Sequence, residues 1–285
     1  MGHLTTPEAD LNLDVKVPVL DHGFVSLIDY MGGDQRIAEA AWVSSIDEVD
    51  AEKKTPEAIR NIINYMMRER HTSPFEQVEL VFRCKMPIFV ARQWIRHRTA
   101  SVNEMSGRYR LLPPESYSPE LSRMGGKGKD NKQGTEGGLS NDTKEQIKVR
   151  MDTAQADAWI DYAWLANTGL ANELARLNLP LSAYTEWYWK IDLHNFFHFI
   201  GLRMHPHSQW EIQQYATKMY NLVKAVVPMA CAAYEEYRHN AVTLTQAEMK
   251  VIKLIVVNGL GIIEAERIAG LKGKALGRFL DKLGV

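Results

Sequence analysis

The chain has 285 residues, of which 45% are hydrophobic and 24% are charged, as is usual for a globular protein of one large domain or two small ones. Its 34 Lys and Arg nearly balance its 35 Asp and Glu, so an anion-binding site has to be built locally. Two cysteines, Cys84 and Cys231, exclude a disulfide scaffold and a four-cysteine zinc site.

The chain shows no sign of secretion or membrane insertion. The start has no basic stretch followed by an apolar run, and no segment approaches the roughly 18 apolar residues of a membrane span. Together with the low cysteine content, this predicts a cytoplasmic protein without a membrane partner. The polar residues 1–14 predict a disordered tail.

The first regular elements are expected between residues 55 and 98. Thr55 is a candidate N-cap and Pro56 suits the first position of a helix that runs to residue 70. An apolar stripe supports this helix and consists of Ile59, Ile62, Ile63, Met66 and Met67. The alternation of apolar residues from Val78 to Cys84 predicts a strand, and Pro87 opens a second helix that extends to about Arg98.

Residues 112–146 differ in composition from the rest of the chain. The run of Gly, Lys and Asn between Gly125 and Gly138 has little to bury, which predicts a mobile loop. Asn141 or Asp142 is the candidate cap of a long helix that follows. We then predict a helix over 170–177, a strand over 184–191, a helix from a cap at Asp192 to Arg203, a helix over 209–226 and, from Asn240 on, short helices separated by Gly259, Gly261, Gly270 and Gly273.

The densest chemistry lies between Arg96 and Tyr109. These fourteen residues include three Arg, one His, one Glu, two Ser, one Asn and one Tyr. Planar guanidinium groups bind phosphate in a bidentate manner, and Gly107 allows a phosphate to approach the backbone closely. Glu104 is suited to accept hydrogen bonds from a sugar hydroxyl or a base edge. The segment therefore predicts a nucleotide pocket, and the alternative is a solvated, charged helix end.

Several segments resemble, in the same order along the chain, the flavin-dependent thymidylate synthase family. They are His71-Thr72-Ser73-Pro74-Phe75-Glu76, Phe89-Val90-Ala91-Arg92-Gln93-Trp94, the signature Arg96-His97-Arg98 followed by seven residues and Ser106, Glu173-x-x-Arg176-x-x-Leu179-Pro180, and Leu202-Arg203 with Gln209-Trp210-Glu211-Ile212-Gln213. The resemblance covers roughly residues 20–239, and ordered agreement of this kind is more specific than a single motif.

The resemblance implies an α+β fold in which helices pack on a mostly antiparallel sheet, with extra C-terminal helices. Residues 1–239 would form the catalytic domain, with 112–146 as its mobile loop, and residues 240–285 a helical extension. The implied activity is the reductive methylation of dUMP to dTMP, with 5,10-methylenetetrahydrofolate as one-carbon donor, FAD as cofactor and NADPH as reductant. Family members are generally homotetramers with active sites where subunits meet.

The resemblance also implies site residues. The dUMP contacts would be Gln93, Arg96, Glu104, Met105, Ser106, Gly107, Arg108, Arg176 and Arg203. The FAD contacts would be Ser73, Arg96, His97, Arg98, Glu104, Asp192, His194, His198 and Arg203. Arg203 would stabilise the ionised uracil ring, since a fixed cation favours deprotonation of a nearby amide. His71 lies near the reaction centre in the family and Ser106 belongs to its signature, so both complete the catalytic set.

Two departures from the family pattern bear on the flavin contacts. Asp192, His194 and His198 stand where relatives often have Asn, Arg and Asn, and Gln77 stands where His is common. The two histidines are four residues apart and share a helix face, a spacing that also suits a metal ion. Because the first histidine has no adjacent Glu, as a zinc-protease motif requires, we expect no metal.

Other functions stay open at this point. A nucleic-acid-binding protein would use the arginines around the signature to contact phosphates, but the neutral overall charge leads us to expect no nucleic acid partner. A flavoprotein oxidoreductase that does not methylate is a second alternative. Cys84 and Cys231 are expected to be packing residues, so no protein nucleophile is assigned. The segment from Leu244 to Leu283 suggests either a helix-turn-helix with Gly270 in the turn or an extra helical hairpin that packs on the catalytic domain or on a neighbouring subunit.

Overall fold

The computed structural model describes residues 4–44, 55–128 and 134–284. The strands, in chain order, are β1 Val17–Val19, β2 Gly23–Met31, β3 Glu79–Pro87, β4 Ser101–Glu104, β5 Gly126–Lys127, β6 Thr135–Glu136 and β7 Tyr184–Asp192. The helices are α1 Pro7–Asp10, α2 Asp34–Trp42, α3 Pro56–Glu69, α4 Ile88–Trp94, α5 Asn141–Asn167, α6 Asn172–Ala175, α7 Leu193–Arg203, α8 Trp210–Val226, α9 Pro228–Tyr234, α10 Gln246–Asn258, α11 Ile262–Ala269 and α12 Gly273–Leu283. None of the described helices is long and apolar enough to span a membrane.

A five-stranded sheet in the order β1-β2-β3-β7-β4 organises the first part of the chain, and every neighbouring pair is antiparallel. A small antiparallel pair, β5 and β6, stands apart from it. The predicted α+β class with a mostly antiparallel sheet is therefore confirmed.

The core lies on one face of β3 and β7, where alternate residues are buried. Phe82 pairs with Trp189 and Cys84 with Trp187 in the antiparallel register. Trp94, at the last position of α4, packs edge-on against both tryptophans, with centroid distances of 5.4 and 5.3 Å. This aromatic cluster fixes the end of α4, so the residues after Trp94 leave the core at a defined place.

Several predicted helices and strands are confirmed with small shifts in their ends. Thr55 caps α3 by accepting a hydrogen bond from the backbone N–H of Ala58, and Asp192 caps α7 in the same way through Asn195. The predicted strands coincide with β3 and β7. The long helix is capped by Ser140 and not by Asn141 or Asp142, because the Ser140 hydroxyl accepts from the N–H of Thr143.

Three expectations need correction or restriction. The helix that begins at Ile88 ends at Trp94 and not near Arg98, because the chain then turns to place β4 beside β7. Residues 4–14 are not a disordered tail: α1 forms there, Ala9 is fully buried, and the N–H of Thr6 donates to the Tyr30 hydroxyl at 2.6 Å. Residues 1–3, and the 129–133 part of the predicted mobile loop, lie outside the described residues.

The chain divides into two compact units, Met1–Tyr234 and Glu235–Val285. The second unit contains α10, α11 and α12, as the glycine punctuation predicts, and Gly259 and Gly270 end the first two helices in the left-handed conformation. Its small core is formed by Val251, Leu271 and Phe279. The sequence-based boundary at residue 239 stays a prediction.

Candidate active site

A cavity of about 1030 Å³ lies where the end of α4 meets the end of α7 and the start of α8. Gln93, Arg96, Arg203, Gln209 and Trp210 contribute to its wall. The side chains of Gln93 and Gln209 are hydrogen-bonded to each other across it. Three of the residues that were implied as ligand contacts, Gln93, Arg96 and Arg203, therefore share one cavity.

Arg203 is held in this cavity from two sides. Its Nε donates to Nε2 of His97 at 3.0 Å, and its terminal NH2 group donates to the carbonyl oxygen of Gln93 at 3.1 Å. Burial, and secondarily the charge of Arg96, lowers the pKa of Arg203. Because an arginine pKa starts far above neutrality, the group remains a cation, with a planar fork whose direction is fixed before any ligand arrives.

His97 is a neutral acceptor at physiological pH. Burial is the main cause that lowers its pKa to about 4, with further contributions from the positive charge of Arg203 and from His198. Its ring packs edge-on against Phe199 at 5.0 Å and lies 5.9 Å from the ring of His198. Because Nε2 accepts from Arg203, the proton of the neutral ring sits on Nδ1, which is left to donate.

Arg96 and Arg98 follow the end of α4 and are exposed. Among the described residues, neither they nor Arg203 has a carboxylate within ion-pair distance. Arg83, by contrast, pairs with Glu186 at 2.5 Å. An unpaired cluster of cations beside a cavity favours an anionic ligand.

A second group of residues forms around the Ser106–Arg108 loop. Gly107 is buried so tightly that an added Cβ would lie 3.1 Å from Leu112 and 3.2 Å from Cδ of Arg176. The N–H of Arg108 donates to the hydroxyl of Ser106 at 3.3 Å, and the Arg108 guanidinium pairs with Glu173 at 3.1 Å. The fold thus brings Arg176 to this loop although 68 residues separate it from Arg108.

Glu104 and Met105 border a smaller cavity of about 200 Å³ beside β7. The hydroxyl of Thr185 donates to Oε1 of Glu104 at 2.6 Å, and the N–H of Met105 donates to the carbonyl oxygen of Glu186 at 2.8 Å. Both contacts continue the pairing of β4 with β7. Glu104 is therefore oriented by the sheet and not by the loop that follows it.

His71 and Ser73 lie at a third place. His71 follows α3, where Arg70 adopts a left-handed conformation with φ of 64°, and its ring stacks on Tyr65 at 6.1 Å. Ser73 borders a separate cavity of about 380 Å³ together with Arg36. Within one chain, these two residues do not share the cavity of Arg203.

Three of the residues that depart from the family pattern lie on α7: Asp192 is its N-cap, and His194 and His198 lie in its first half. Both carboxylate oxygens of Asp192 accept hydrogen bonds from Asn195, at 2.9 and 2.6 Å. Asp192 therefore caps the helix in addition to the flavin contact that the resemblance implies. His194 is half-buried and His198 is exposed. In the described ranges, no group of three or more His, Cys, Asp or Glu side chains is arranged to hold a metal ion.

Cys84 and Cys231 are both buried and are not joined to each other by a disulfide. Burial raises the pKa of the Cys84 thiol well above its ordinary value, with the negative charge of Glu186 as a smaller cause. A thiol in this environment does not ionise near neutral pH, so Cys84 is unsuited to act as a nucleophile.

Sequence reasoning missed one wall of the large cavity. Glu211, in the first turn of α8, is buried and accepts from Arg123 at 3.2 Å and from the Tyr117 hydroxyl at 3.3 Å. The Arg123 guanidinium lies 4.7 Å from the Trp210 ring centroid. Tyr117 and Met124 could have indicated this wall, because they are large apolar side chains in a segment that we predicted to be a mobile loop, and both are buried.

Comparisons with known proteins identify the family of the chain. A family profile described as thymidylate synthase complementing protein matches residues 26–229. The chain is 44% identical to a flavin-dependent thymidylate synthase from Treponema denticola, over 95% of this chain and 98% of the relative. It is 45% identical to one from Thermus thermophilus, over 94% and 95% of the two chains.

A solved structure is also similar. The crystal structure of the UMP/dUMP methylase PolB from Streptomyces cacaoi, bound with 5-Br dUMP, matches with a TM-score of 0.69 and 33% identity, over 78% of this chain and 99% of that one. The family profile spans most of the chain, and both relatives align along nearly all of it. The chain belongs to the flavin-dependent thymidylate synthase family.

Proposed function

We propose that this protein converts dUMP to dTMP by reductive methylation, with 5,10-methylenetetrahydrofolate, FAD and NADPH. The observation that carries the proposal is the placement of Arg203 on the wall of a cavity lined with arginine and glutamine. Its guanidinium is held by hydrogen bonds to His97 and to the Gln93 carbonyl, and it has no carboxylate partner among the described residues. Such a group stabilises charge that develops on a bound ring without having to reorganise.

Arg203 is assigned the role of activating the nucleotide. Deprotonation of the uracil N3–H leaves negative charge on the ring, and a cation beside the ring lowers the free energy of that ionised form. The carbon at position 5 then becomes electron-rich enough to attack a one-carbon unit. Because His97 is neutral, it adds no competing positive charge and serves to hold Arg203 in place.

The dUMP contacts are assigned to both arginine groups. Gln93, Arg96 and Arg203 would contact the base of dUMP within the large cavity. Arg108 and Arg176, with the amides around Ser106 and Gly107, would bind the phosphate, since charge-assisted bidentate contacts suit a dianion. Glu104 and Met105, placed by β4, would border the sugar and the base.

An FAD molecule suits the donor set of this chain. The unpaired guanidinium groups of Arg96 and Arg98 would hold its diphosphate, and His97, His194, His198, Asp192 and Ser73 would contribute further contacts. When bound, the folate supplies the one-carbon unit, and the reduced flavin, regenerated with NADPH, supplies the hydride that completes the methyl group. The protein itself supplies binding, orientation and a fixed positive charge. His71 is assigned to the reaction centre.

We further propose a homotetramer whose active sites combine residues of different subunits. Within one chain, Arg203, the Ser106–Arg108 loop and His71 lie at three places, which supports a composite site. The test mixes Arg203→Ala and His71→Ala proteins under conditions that exchange subunits, with exchange verified by native mass spectrometry. A composite site predicts that mixed tetramers recover dTMP formation, whereas exchanged but inactive tetramers contradict it.

The activity is tested with purified, FAD-loaded protein. Release of tritium from dUMP labelled at carbon 5, together with dTMP formation, should require NADPH and methylenetetrahydrofolate. An oxidoreductase that does not methylate would oxidise NADPH without releasing tritium. Folded protein that binds FAD and yet makes no dTMP would refute the proposed function.

The domain assignment, 1–239 as catalytic and 240–285 as an extension, is also a proposal. It is supported by the compact second unit with its own small core. We expect truncation after His239 to lower solubility or stability more than it lowers dTMP formation per bound flavin, because apolar surface exposed by the truncation favours association. A soluble, flavin-loaded, inactive truncation would place the boundary elsewhere. The cytoplasmic setting stays a prediction.

A further inference from the structure

The second unit contains a helix-turn-helix arrangement that the thymidylate synthase activity does not use. Only three residues, Gly270, Leu271 and Lys272, connect α11 to α12, and Gly270 turns the chain with φ of 76°. Leu271 is buried within this turn and packs with Val251 of α10 and Phe279 of α12. The turn is therefore anchored in the core, which sets the two helices in a defined arrangement.

One face of α12 is apolar and inward, and the opposite, exposed face carries Lys274, Arg278 and Asp281. Ala275, Leu276 and Phe279 pack on the small core. Lys274 and Arg278 are one helical turn apart on the exposed side. Neither has a carboxylate within ion-pair distance among the described residues.

Lys282, one turn further along, provides the contrast. Its ammonium group donates to both carboxylate oxygens of the buried Glu248 at 2.8 Å and to the carbonyl oxygen of Thr243 at 2.9 Å. Lys282, at the end of α12, thus links this helix to the start of α10 within the unit. The two cations in the first half of the helix are left for an external partner.

Gly277 lies between these two cations and has no packing role. A Cβ built on it meets nothing within 4 Å, although glycine in a helix interior destabilises the helix relative to alanine. Without a side chain at this position, the helix backbone can approach a ligand closely between Lys274 and Arg278. The residue therefore leaves room for a ligand to approach the helix backbone at this position.

The charge of this unit differs from that of the whole chain. The second unit, Glu235–Val285, contains eight Lys and Arg against six Asp and Glu, whereas the complete chain has 34 against 35, so the unit carries a small local excess of positive charge. The expectation of no nucleic acid partner was derived from the whole-chain balance, which hides the local excess. Non-specific attraction to nucleic acid depends on such local charge.

We propose that the second unit binds double-stranded DNA, with α12 as the helix that enters the major groove. In helix-turn-helix proteins the second helix lies in this groove with its N-terminal residues toward the bases, and this is where α12 carries Lys274 and Arg278. The two side chains neutralise phosphates or contact base edges at the rim of the groove. This role is separate from dTMP formation and does not depend on it.

The test uses the full-length protein and a fluorescein-labelled duplex of mixed sequence, about 30 base pairs long to hold several helical turns. Anisotropy is measured between about 50 and 200 mM salt, where binding through phosphates weakens steeply. Lys274→Gln/Arg278→Gln is compared with Lys250→Gln/Lys253→Gln, which removes the same charge from exposed positions on α10. Circular dichroism and thermal unfolding check that the second unit of both variants is folded, and rates of dTMP formation check that the first unit is unaffected.

We expect the wild-type protein to bind the duplex at low salt. The α12 variant should lose at least about tenfold in affinity and reduce the slope of log affinity against log salt by about two, one for each phosphate contact. The α10 variant should stay within about twofold of wild type. Gly277→Gln, which leaves the charge unchanged, should weaken DNA binding without lowering the unfolding temperature, because glutamine favours a helix more than glycine.

Three results would overturn the proposal. The first is the absence of duplex binding at low salt by folded, active protein. The second is an equal loss for the α10 and α12 variants, which would mean diffuse attraction and no recognition helix. The third is tighter binding of a single-stranded RNA of the same length than of the duplex, which would assign the cationic face to another nucleic acid.

Discussion

Arg203 and Arg108 are the same residue type in two very different settings. The guanidinium of Arg203 is fixed by a backbone carbonyl and by His97, whose ring packs on the buried Phe199. Arg108 lies on a loop, and it pairs with Glu173 through side chains that are 58% and 52% exposed. The first is oriented before the ligand arrives, whereas the second can leave a weak surface ion pair and reorient on binding.

This difference separates two kinds of contribution to the reaction. A cation fixed in a partly buried site acts on charge that develops during the reaction and therefore affects the turnover number. Cations on an exposed loop bind the substrate and its transition state alike, and mainly affect the Michaelis constant. The predictions that follow test whether the two regions divide in this way.

The largest effect is expected for Arg203→Lys. Lysine keeps the charge but cannot donate to His97 and Gln93 in one plane, so the turnover number should fall about 100-fold or more while dUMP binding changes little. Steady-state kinetics and equilibrium binding separate these quantities, with Arg68→Lys on α3 as a matched control. A change confined to the Michaelis constant would contradict the activating role assigned to Arg203.

Arg176→Ala should weaken dUMP binding by about tenfold to a hundredfold. The loss of charge-assisted hydrogen bonds corresponds to about 1.5–3 kcal/mol, and FAD binding should be nearly unchanged. Calorimetric titration with each ligand measures both, and Arg60→Ala on α3 controls for the loss of a positive charge. Equal losses for dUMP and FAD would contradict the assignment of Arg176 to the nucleotide.

A smaller effect, of about threefold to tenfold on dUMP affinity, is expected for Gly107→Ala. The new Cβ would lie 3.1 Å from Leu112 and 3.2 Å from Arg176, so these neighbours have to move by a few tenths of an ångström. The turnover number at saturating dUMP should be close to wild type. If turnover falls while affinity is retained, the loop takes part in the chemical step and the contrast with Arg203 fails.

The smallest effect concerns the pH dependence of stability. Because the folded-state pKa of His97 is about 4, below the ordinary value of 6.5, the unfolded chain binds more protons between these pH values. The contribution of His97 to stability is therefore complete above pH 6.5 and is lost as the pH falls toward 4. His97→Gln should flatten this dependence.

Urea unfolding midpoints of the FAD-free protein between pH 4 and pH 7 measure this slope. His22→Gln replaces a histidine that lies outside the cavity of Arg203 and serves as the control. An identical slope for His97→Gln and wild type would mean that His97 is not held neutral by its surroundings.

Local sequence signals predicted most of the regular elements because their causes are local. Thr55 and Asp192 cap their helices through their own side chains, and the alternation in β3 and β7 follows from the two-residue period of a strand. The end of α4 was misplaced because it is decided by Trp94, whose partners Trp187 and Phe199 come about a hundred residues later in the chain. No local pattern carries that information.

One wall of the large cavity was not predicted, for the same reason. Between Gly125 and Gly138 the composition indicates little to bury, and this led us to treat all of 112–146 as one loop. Tyr117 and Arg123 nevertheless pack at the start of α8, because Glu211 and Trp210 offer them a buried acceptor and an aromatic face. Such a contact depends on partners nearly ninety residues apart and cannot be read from the composition of the segment.

Ordered motifs, caps and hydrophobic periods are properties of neighbouring residues, so the family resemblance, the residue types of the site and most of the helices and strands that carry them could be predicted from the sequence. Which of those residues meet depends on tertiary packing. It placed Arg203 against His97 and Gln93, brought Arg176 to Gly107, and left His71 at a different place. The physical reason is that long-range packing of buried aromatic groups and pairing between distant strands, which set these distances, are decided by the whole chain at once.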